Sequence, residues 1–191
     1  MVCEDDLMAI KATVYHWQVT LSDVDRGVYE VLDLRFARQP SETMRYLLTR
    51  AIAYCLCHEE GIGFSKEGIA SSDEPPLSIR DGSGLLCAWI EIGAPSAERL
   101  HKANKAAARV ALFTHVELST LLREAGTRAI YKVEEIEVWR LEPSFLDALD
   151  AKVDRNARLE LVRSDGALYV TVGGATLHGT IARHSLVPPS A

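Results

Sequence analysis

The chain has 191 residues, with 21 lysines and arginines against 27 aspartates and glutamates, and its formal net charge is −6. This excess of acid argues against nonspecific binding of nucleic acid over the whole surface, because such binding depends on clustered basic residues. No apolar run reaches the ~18 residues that a membrane-spanning helix needs. The acidic first residues, Met-Val-Cys-Glu-Asp-Asp, lack the basic region of a secretory signal. We expect one cytoplasmic domain over residues 1–191, without membrane contact.

Two runs of alternating apolar and polar residues come first in the chain. The first spans residues 11–21 and the second residues 28–36, and a turn cluster, Asp-Val-Asp-Arg-Gly at residues 23–27, separates them. Alternation with a period of two is typical of strands that bury one face. We therefore predict an N-terminal antiparallel hairpin over residues 11–37.

A helix is predicted directly after this hairpin. Ser41 is a suitable N-cap, Glu42 suits the first turn, and apolar residues from Met44 to Cys55 recur at helical spacing. On a helical wheel Glu42 falls about 150° from this apolar stripe, on the solvent side. Glycines and prolines over residues 61–76 predict a loop after the helix.

Short strands and helices alternate through the rest of the chain. The predicted order is a strand at 77–80, a turn at 81–84, a buried strand at 85–93, a helix capped by Ser96 and ending near residue 108, a strand at 110–114, a helix at 117–125, a strand around Ile136 and Val138, a helix from Pro143 to Leu149, a hairpin over 158–172 and a last strand at 176–181. This order predicts an α/β fold. A mixed β-sheet core would occupy about 40–140, flanked by the N-terminal hairpin and C-terminal strands 158–181.

The strand at 85–93, Leu-Leu-Cys-Ala-Trp-Ile-Glu-Ile-Gly, is almost wholly apolar, yet it carries Glu91 near its end. Such a composition is typical of a strand buried on both faces. An unpaired carboxylate in that place would destabilise the fold by several kcal/mol, on the order of the desolvation penalty of a buried ion. Its charge must therefore be offset by a cation, by a metal ion or by exposure at a cleft. The plain alternative to a metal site is an arginine within an ordinary core network.

Further acidic residues precede this strand. Asp73 and Glu74 lie in Asp-Glu-Pro-Pro, a proline-stiffened loop, although the same residues are also common in turns. Asp81 is a rival candidate, but Asp81-Gly82 is more typical of a hairpin turn. Glu42 reaches a site only through its place at the helix end, and complementing the helix dipole explains it equally well.

Six segments, taken in order and spacing, resemble the YaeQ family of bacterial proteins over most of the chain. They are Asp-Val-Asp-Arg-Gly (23–27), Ala-Arg-Gln-Pro-Ser-Glu-Thr (37–43), Asp-Glu-Pro (73–75), Trp-Ile-Glu-Ile-Gly-Ala-Pro (89–95), Arg-Leu-His-Lys-Ala (99–103) and Val-Ala-Leu-Phe-Thr (110–114). The order helix, acidic hairpin, helix also resembles the PD-(D/E)XK restriction-endonuclease-like superfamily. The resemblance implies a nuclease-like core with an additional antiparallel β-sheet, and acidic residues at the equivalent of the nuclease site. It implies no settled activity.

Phosphodiester hydrolysis at such a site needs two or three carboxylates that hold Mg²⁺, for which Mn²⁺ can substitute, and a positive group. We expect Glu91 and Asp73 as metal ligands with catalytic roles, with Glu42 and Glu74 as further metal ligands.

This chain departs from the superfamily motif Glu-X-Lys at the lysine position, because its sequence there is Glu91-Ile92-Gly93. Lys102 on the following helix is the expected catalytic substitute, with Lys105 and Arg99 on the same helix face as substrate-binding residues. The alternative for this stripe is a solvated basic helix face.

Two functions remain open at this point. The first is a Mg²⁺-dependent nuclease or phosphodiesterase, which the buried Glu91 favours. The second is a non-catalytic binding or regulatory protein that contacts nucleic acid or a protein partner through the same cleft. The missing lysine and the acidic surface favour this second function.

Overall fold

The computed structural model describes residues 12–65 and 73–187. Within these ranges the strands are β1 (Thr13–Asp23), β2 (Val28–Arg38), β3 (Ile62–Phe64), β4 (Leu77–Arg80), β5 (Leu86–Ile92), β6 (Arg109–Thr114), β7 (Glu137–Leu141), β8 (Asn156–Ser164), β9 (Ala167–Val172) and β10 (Ala175–His184). The α-helices of the same ranges are α1 (Met44–Leu56), α2 (Ala97–Ala106), α3 (Leu118–Ala125) and α4 (Pro143–Asp150). None of these helices is long and apolar enough to span a membrane.

All of these strands belong to one mixed sheet, in the order β2-β1-β8-β9-β10-β7-β6-β5-β4-β3. The antiparallel part predicted as an additional sheet is therefore continuous with the rest. β10 makes the connection, because residues 175–180 pair with β9 and residues 181–184 pair with β7. The sheet curls until its two edge strands approach each other, and the Phe36 ring of β2 stacks on the Phe64 ring of β3 at 5.1 Å. The result is an α/β fold with a large, nearly closed sheet.

The strand β5 is buried on both faces, as its composition predicts. Ile90 and Ile92 join the main apolar cluster, which also contains Leu47 and Leu48 of α1. Trp89 points to the opposite face and packs in a second cluster with Leu100 of α2. Because side chains alternate along a strand, Glu91 shares the Trp89 face and points toward α2.

Several sequence predictions are confirmed. β1 and β2 form the N-terminal hairpin, and β8 and β9 form the C-terminal one. Ser96 caps α2, since its hydroxyl oxygen accepts a hydrogen bond from the Arg99 backbone N–H at 3.2 Å. Pro143 is the first residue of α4, where its fixed φ suits a helix.

The predicted start of the first helix is wrong by two residues. Thr43, not Ser41, is the N-cap, and its hydroxyl accepts from the Tyr46 N–H at 3.2 Å. Glu42 therefore precedes α1 instead of lying in its first turn. The predicted loop at 61–76 contains the short strand β3. Residues 66–72 of this loop and the acidic first residues lie outside the described residues.

Gly179 allows α4 to pack closely on β10. A Cβ atom added at Gly179 would lie 2.5 Å from Cγ of the buried Phe145 ring. We expect Gly179→Ala to lower the free energy of unfolding by about 1–3 kcal/mol, because the core must shift to relieve this overlap. Urea denaturation measures the change. Gly63→Ala is the control, since nothing lies within 4 Å of its added Cβ. Equal losses in the two variants would contradict the prediction.

Candidate functional site

The charge of Glu91 is offset by an arginine. Glu91 is only 2% exposed. Its Oε1 accepts hydrogen bonds from Nε1 of Trp89 at 2.6 Å and from Nε of Arg99 at 2.5 Å. Burial raises the pKa of the Glu91 carboxyl above its usual value, and the Arg99 charge and the Trp89 hydrogen bond lower it in part.

Arg99 joins Glu91 to the loop before β4. Its Nη2 donates to the backbone carbonyl oxygen of Glu74 at 2.8 Å, and its guanidinium carbon lies 5.7 Å from the centroid of the Trp89 ring. The Arg99 side chain is 19% exposed and is therefore partly open to solvent. A single planar group thus binds oxygens from two separate chain segments.

Lys102 lies one turn further along α2 and pairs with Asp73. Its Nζ lies 2.5 Å from Oδ1 of Asp73, and both side chains are well exposed, at 46% and 81%. The strand register explains this meeting, because β4 runs antiparallel to β5 with Leu77 opposite Ile90. The residues before Leu77 therefore lie beside the end of β5. We call Asp73, Glu74, Glu91, Arg99 and Lys102 the acid–base cluster.

Glu42 does not belong to this cluster, which corrects the helical-wheel prediction. It is 1% exposed, and its Oε2 lies 3.0 Å from Nη2 of Arg50. The same Arg50 nitrogen donates to the carbonyl oxygen of Ala37 at 2.6 Å. Glu42 points inward because it lies in the turn before α1, where helical periodicity does not apply. The partner, Arg50, escaped the sequence analysis, although an arginine inside the apolar stretch of α1 was a usable signal.

Tyr46 lies between the two buried acid–arginine pairs. It is 7% exposed on α1. Burial raises the pKa of its hydroxyl, and the charges of Arg50 and Arg99 lower it while those of Glu42 and Glu91 add to the rise. Its ring also packs against position 93, where an added Cβ would contact it at 3.5 Å.

Position 93 cannot easily carry the lysine of the Glu-X-Lys motif. Gly93 has φ +82°, in the left-handed region that side-chain-bearing residues rarely adopt. Its N–H donates to the Phe113 carbonyl oxygen at 2.8 Å and so holds this conformation at the end of β5. A positive group must reach the cluster from another element, and α2 supplies Arg99 and Lys102.

The other sequence candidates lie outside the contacts of the cluster. Asp81 serves the hairpin turn, since its Oδ1 accepts from the N–H groups of Ser83 at 2.8 Å and Leu85 at 3.0 Å. The hydrogen bond from the Ser83 hydroxyl, followed by those from the two N–H groups, lowers the pKa of Asp81. Lys105 is exposed in the last turn of α2, one turn beyond Lys102.

The donors of the acid–base cluster suit a hard divalent cation. The carboxylates of Glu91 and Asp73 and the carbonyl of Glu74 are all oxygen ligands. Mg²⁺ commonly binds through one or two carboxylates and completes its shell with water and substrate phosphate. Among residues 12–65 and 73–187, no group of three His, Cys, Asp or Glu side chains is close enough to enclose a metal ion. The oxygen donors of the acid–base cluster are of the kind that Mg²⁺ prefers, and Arg99 and Lys102 pair with the carboxylates of Glu91 and Asp73.

Comparison with known proteins identifies the family. The profile of the family described as YaeQ protein matches residues 8–181. The chain is 31% identical over 165 residues to Uncharacterized protein YaeQ of Escherichia coli K12, covering 86% of this chain and 91% of that protein. The chain belongs to the YaeQ family. The YaeQ relative from Salmonella typhi is 30% identical over the same length and coverage.

Two solved YaeQ structures share the fold. The crystal structure of YaeQ from Xanthomonas axonopodis pv. citri superposes with a TM-score of 0.83 at 26% identity, covering 92% of this chain and 99% of that one. YaeQ from Pseudomonas syringae gives a TM-score of 0.82 at 27% identity, with 90% and 95% coverage. The nearly closed sheet is therefore an architecture of YaeQ proteins, and their names state no activity.

The Glu42–Arg50 pair should act as a structural element. We expect Glu42→Gln to lower the free energy of unfolding by about 3–5 kcal/mol, because it leaves the buried Arg50 charge without its carboxylate. Chemical denaturation measures the change. Asp147→Asn, which breaks the exposed pair with Arg45, serves as the control and should leave stability nearly unchanged. A Glu42 variant as stable as this control would disprove the structural role.

Proposed function

We propose that this chain is a Mg²⁺-dependent nuclease or phosphodiesterase with a divergent PD-(D/E)XK-like site at the acid–base cluster. The observation that carries this proposal is the pairing of Glu91 with Arg99 and of Asp73 with Lys102, two basic residues one turn apart on α2. The two acidic residues come from a strand and a loop, and the sequence predicted Glu91, Asp73 and Lys102 together as one set for this chemistry. The order α1, acidic β4–β5 hairpin and α2 supports the nuclease-like classification of the core.

The acidic residues would hold the metal ion. Glu91 and Asp73 offer carboxylate oxygens, and Glu74 offers its carbonyl oxygen and a further carboxylate. Glu42 is omitted from this set because Arg50 binds it. A bound Mg²⁺ supplies charge stabilisation at the phosphate and acidifies its water.

The basic residues of α2 would act on the phosphodiester. Lys102 presents three N–H donors at the exposed side of the cluster and would stabilise the negative charge that develops on the phosphate. Its ion pair with Asp73 is well exposed, and exposed pairs contribute only about 0–1 kcal/mol. Exchanging Asp73 for a substrate phosphate therefore costs little. Arg99 and Lys105, on the same helix, would bind neighbouring phosphates.

A second candidate function is binding without turnover. Two observations favour it: glycine occupies the motif position of the lysine, and Arg99 already neutralises Glu91. In this function Arg99, Lys102 and Lys105 bind the backbone of a nucleic acid, and no metal-activated water attacks it. The two functions differ in metal binding and in turnover, which can be measured separately.

Metal binding is the first test. We expect the metal-stripped protein to bind Mn²⁺ at one saturable site, and Glu91→Gln to weaken that binding by about 10-fold or more, because a ligand oxygen loses its charge. Isothermal titration calorimetry measures both affinities. Glu160→Gln on the exposed side of β8 is the matched control with unchanged affinity. No Mn²⁺ binding to the folded wild-type protein would overturn the metal-dependent proposal.

Turnover is the second test. We expect Mg²⁺-dependent cleavage of an activated phosphodiester and of single-stranded DNA or RNA, with kcat reduced about 100-fold in Lys102→Gln, because one positive donor to the phosphate is lost. Lys152→Gln, an exposed lysine just after α4, is the control. Glu91→Gln, purified in parallel, measures the cleavage that is due to contaminating nucleases, because it lacks a charge that the proposed site requires. Oligonucleotide binding without cleavage, weakened in Lys102→Gln, would establish the second candidate function instead.

A further inference from the structure

The guanidinium of Arg99 binds two oxygens of the acid–base cluster that the proposed metal ion would need. Its Nε is 2.5 Å from Oε1 of Glu91 and its Nη2 is 2.8 Å from the carbonyl oxygen of Glu74. These two oxygens come from β5 and from the loop before β4. Oxygen atoms of this kind are also the ligands that would hold a Mg²⁺ ion.

We infer that Arg99 is a built-in cation that competes with the divalent metal ion for the oxygens of Glu91 and Glu74. This inference rests on the proposed metal-dependent function, since it assumes that the cluster accepts a metal at all. It adds that Arg99 lowers the metal affinity of the site. The wild-type protein should therefore bind the metal ion more weakly than a variant that has the same oxygen donors but lacks the Arg99 charge.

Electrostatics favour one cation at a time beside the Glu91 carboxylate. The buried carboxylate of Glu91 needs one nearby positive charge, and Arg99 supplies it. A divalent ion on the same Glu91 oxygen would lie within a few ångströms of the guanidinium, where two positive charges in a poorly solvated site repel strongly. Metal entry therefore requires the Arg99 side chain to leave.

The surroundings of Arg99 allow this departure. Its side chain is 19% exposed, whereas that of Arg50 in the other buried pair is 1% exposed. A guanidinium binds phosphate with two parallel hydrogen bonds, so a substrate phosphate offers Arg99 an alternative partner. The arrangement couples the two ligands: an anion that attracts Arg99 frees the oxygens for the metal.

The test removes the positive charge of Arg99 and measures the affinity for Mn²⁺. We expect Arg99→Gln to bind Mn²⁺ at least 10-fold more tightly than the wild-type protein in calorimetry. Its melting temperature should fall in EDTA and recover in Mn²⁺, because the metal replaces the missing charge beside Glu91. Glu91→Gln combined with Arg99→Gln should show neither the gain in affinity nor the recovery. Arg128→Gln, an exposed arginine paired with Glu98, is the control with wild-type affinity.

The outcomes separate this inference from the proposed function. Equal, Glu91-dependent Mn²⁺ affinities in the wild-type protein and Arg99→Gln overturn the competition and leave the metal-dependent function standing. Absence of binding in both proteins overturns both.

If Arg99→Gln does not fold even in Mn²⁺, the wild-type protein supplies the test. The ¹⁵N–¹H signal of Arg99 Nε, hydrogen-bonded to Glu91, is followed during a Mg²⁺ titration. Loss of that hydrogen-bonded signal as Mg²⁺ saturates the site supports competition. An unchanged signal overturns it.

Discussion

The ion pair between Glu91 and Arg99 is the constraint on which the rest of the site depends. β5 lies inside the sheet with both faces covered, so its carboxylate needs a positive partner in the same layer. That partner comes from α2, which packs on the Trp89 face of the strand. By reaching on to the Glu74 carbonyl, Arg99 also fixes the loop before β4 against the helix. The acid–base cluster exists because one buried charge had to be matched.

The two buried acid–arginine pairs around Tyr46 differ in what they can do. Glu42 and Arg50 are almost completely enclosed, so separating them leaves a charge without its partner in an apolar core. Glu91 is equally enclosed, but the side chain of Arg99 is 19% exposed. The first pair therefore lies wholly inside the fold and holds the turn before α1, whereas one member of the second pair lies partly at the surface.

The sheet topology places the cluster where α/β proteins commonly bind ligands. β5, β6 and β7 are parallel neighbours, and α2 connects the first two. Glu91 lies near the carboxyl end of β5, and the crevice outside such strand ends is a frequent ligand site. The antiparallel part of the sheet continues from this core through β10 and curls around α1.

The sequence by itself determined the local structure and the need for a counter-charge. Alternation in β1 and β2, Ser96 before α2 and Pro143 at α4 all report on neighbours within a few residues, and a carboxylate in an apolar strand requires compensation wherever it folds. The tertiary structure decided which side chains meet. Arg99 of α2 contacts Glu91, and Glu42 turns inward to Arg50 because α1 begins at Met44. These choices depend on side-chain direction and on strand pairing between distant segments, which no local periodicity encodes.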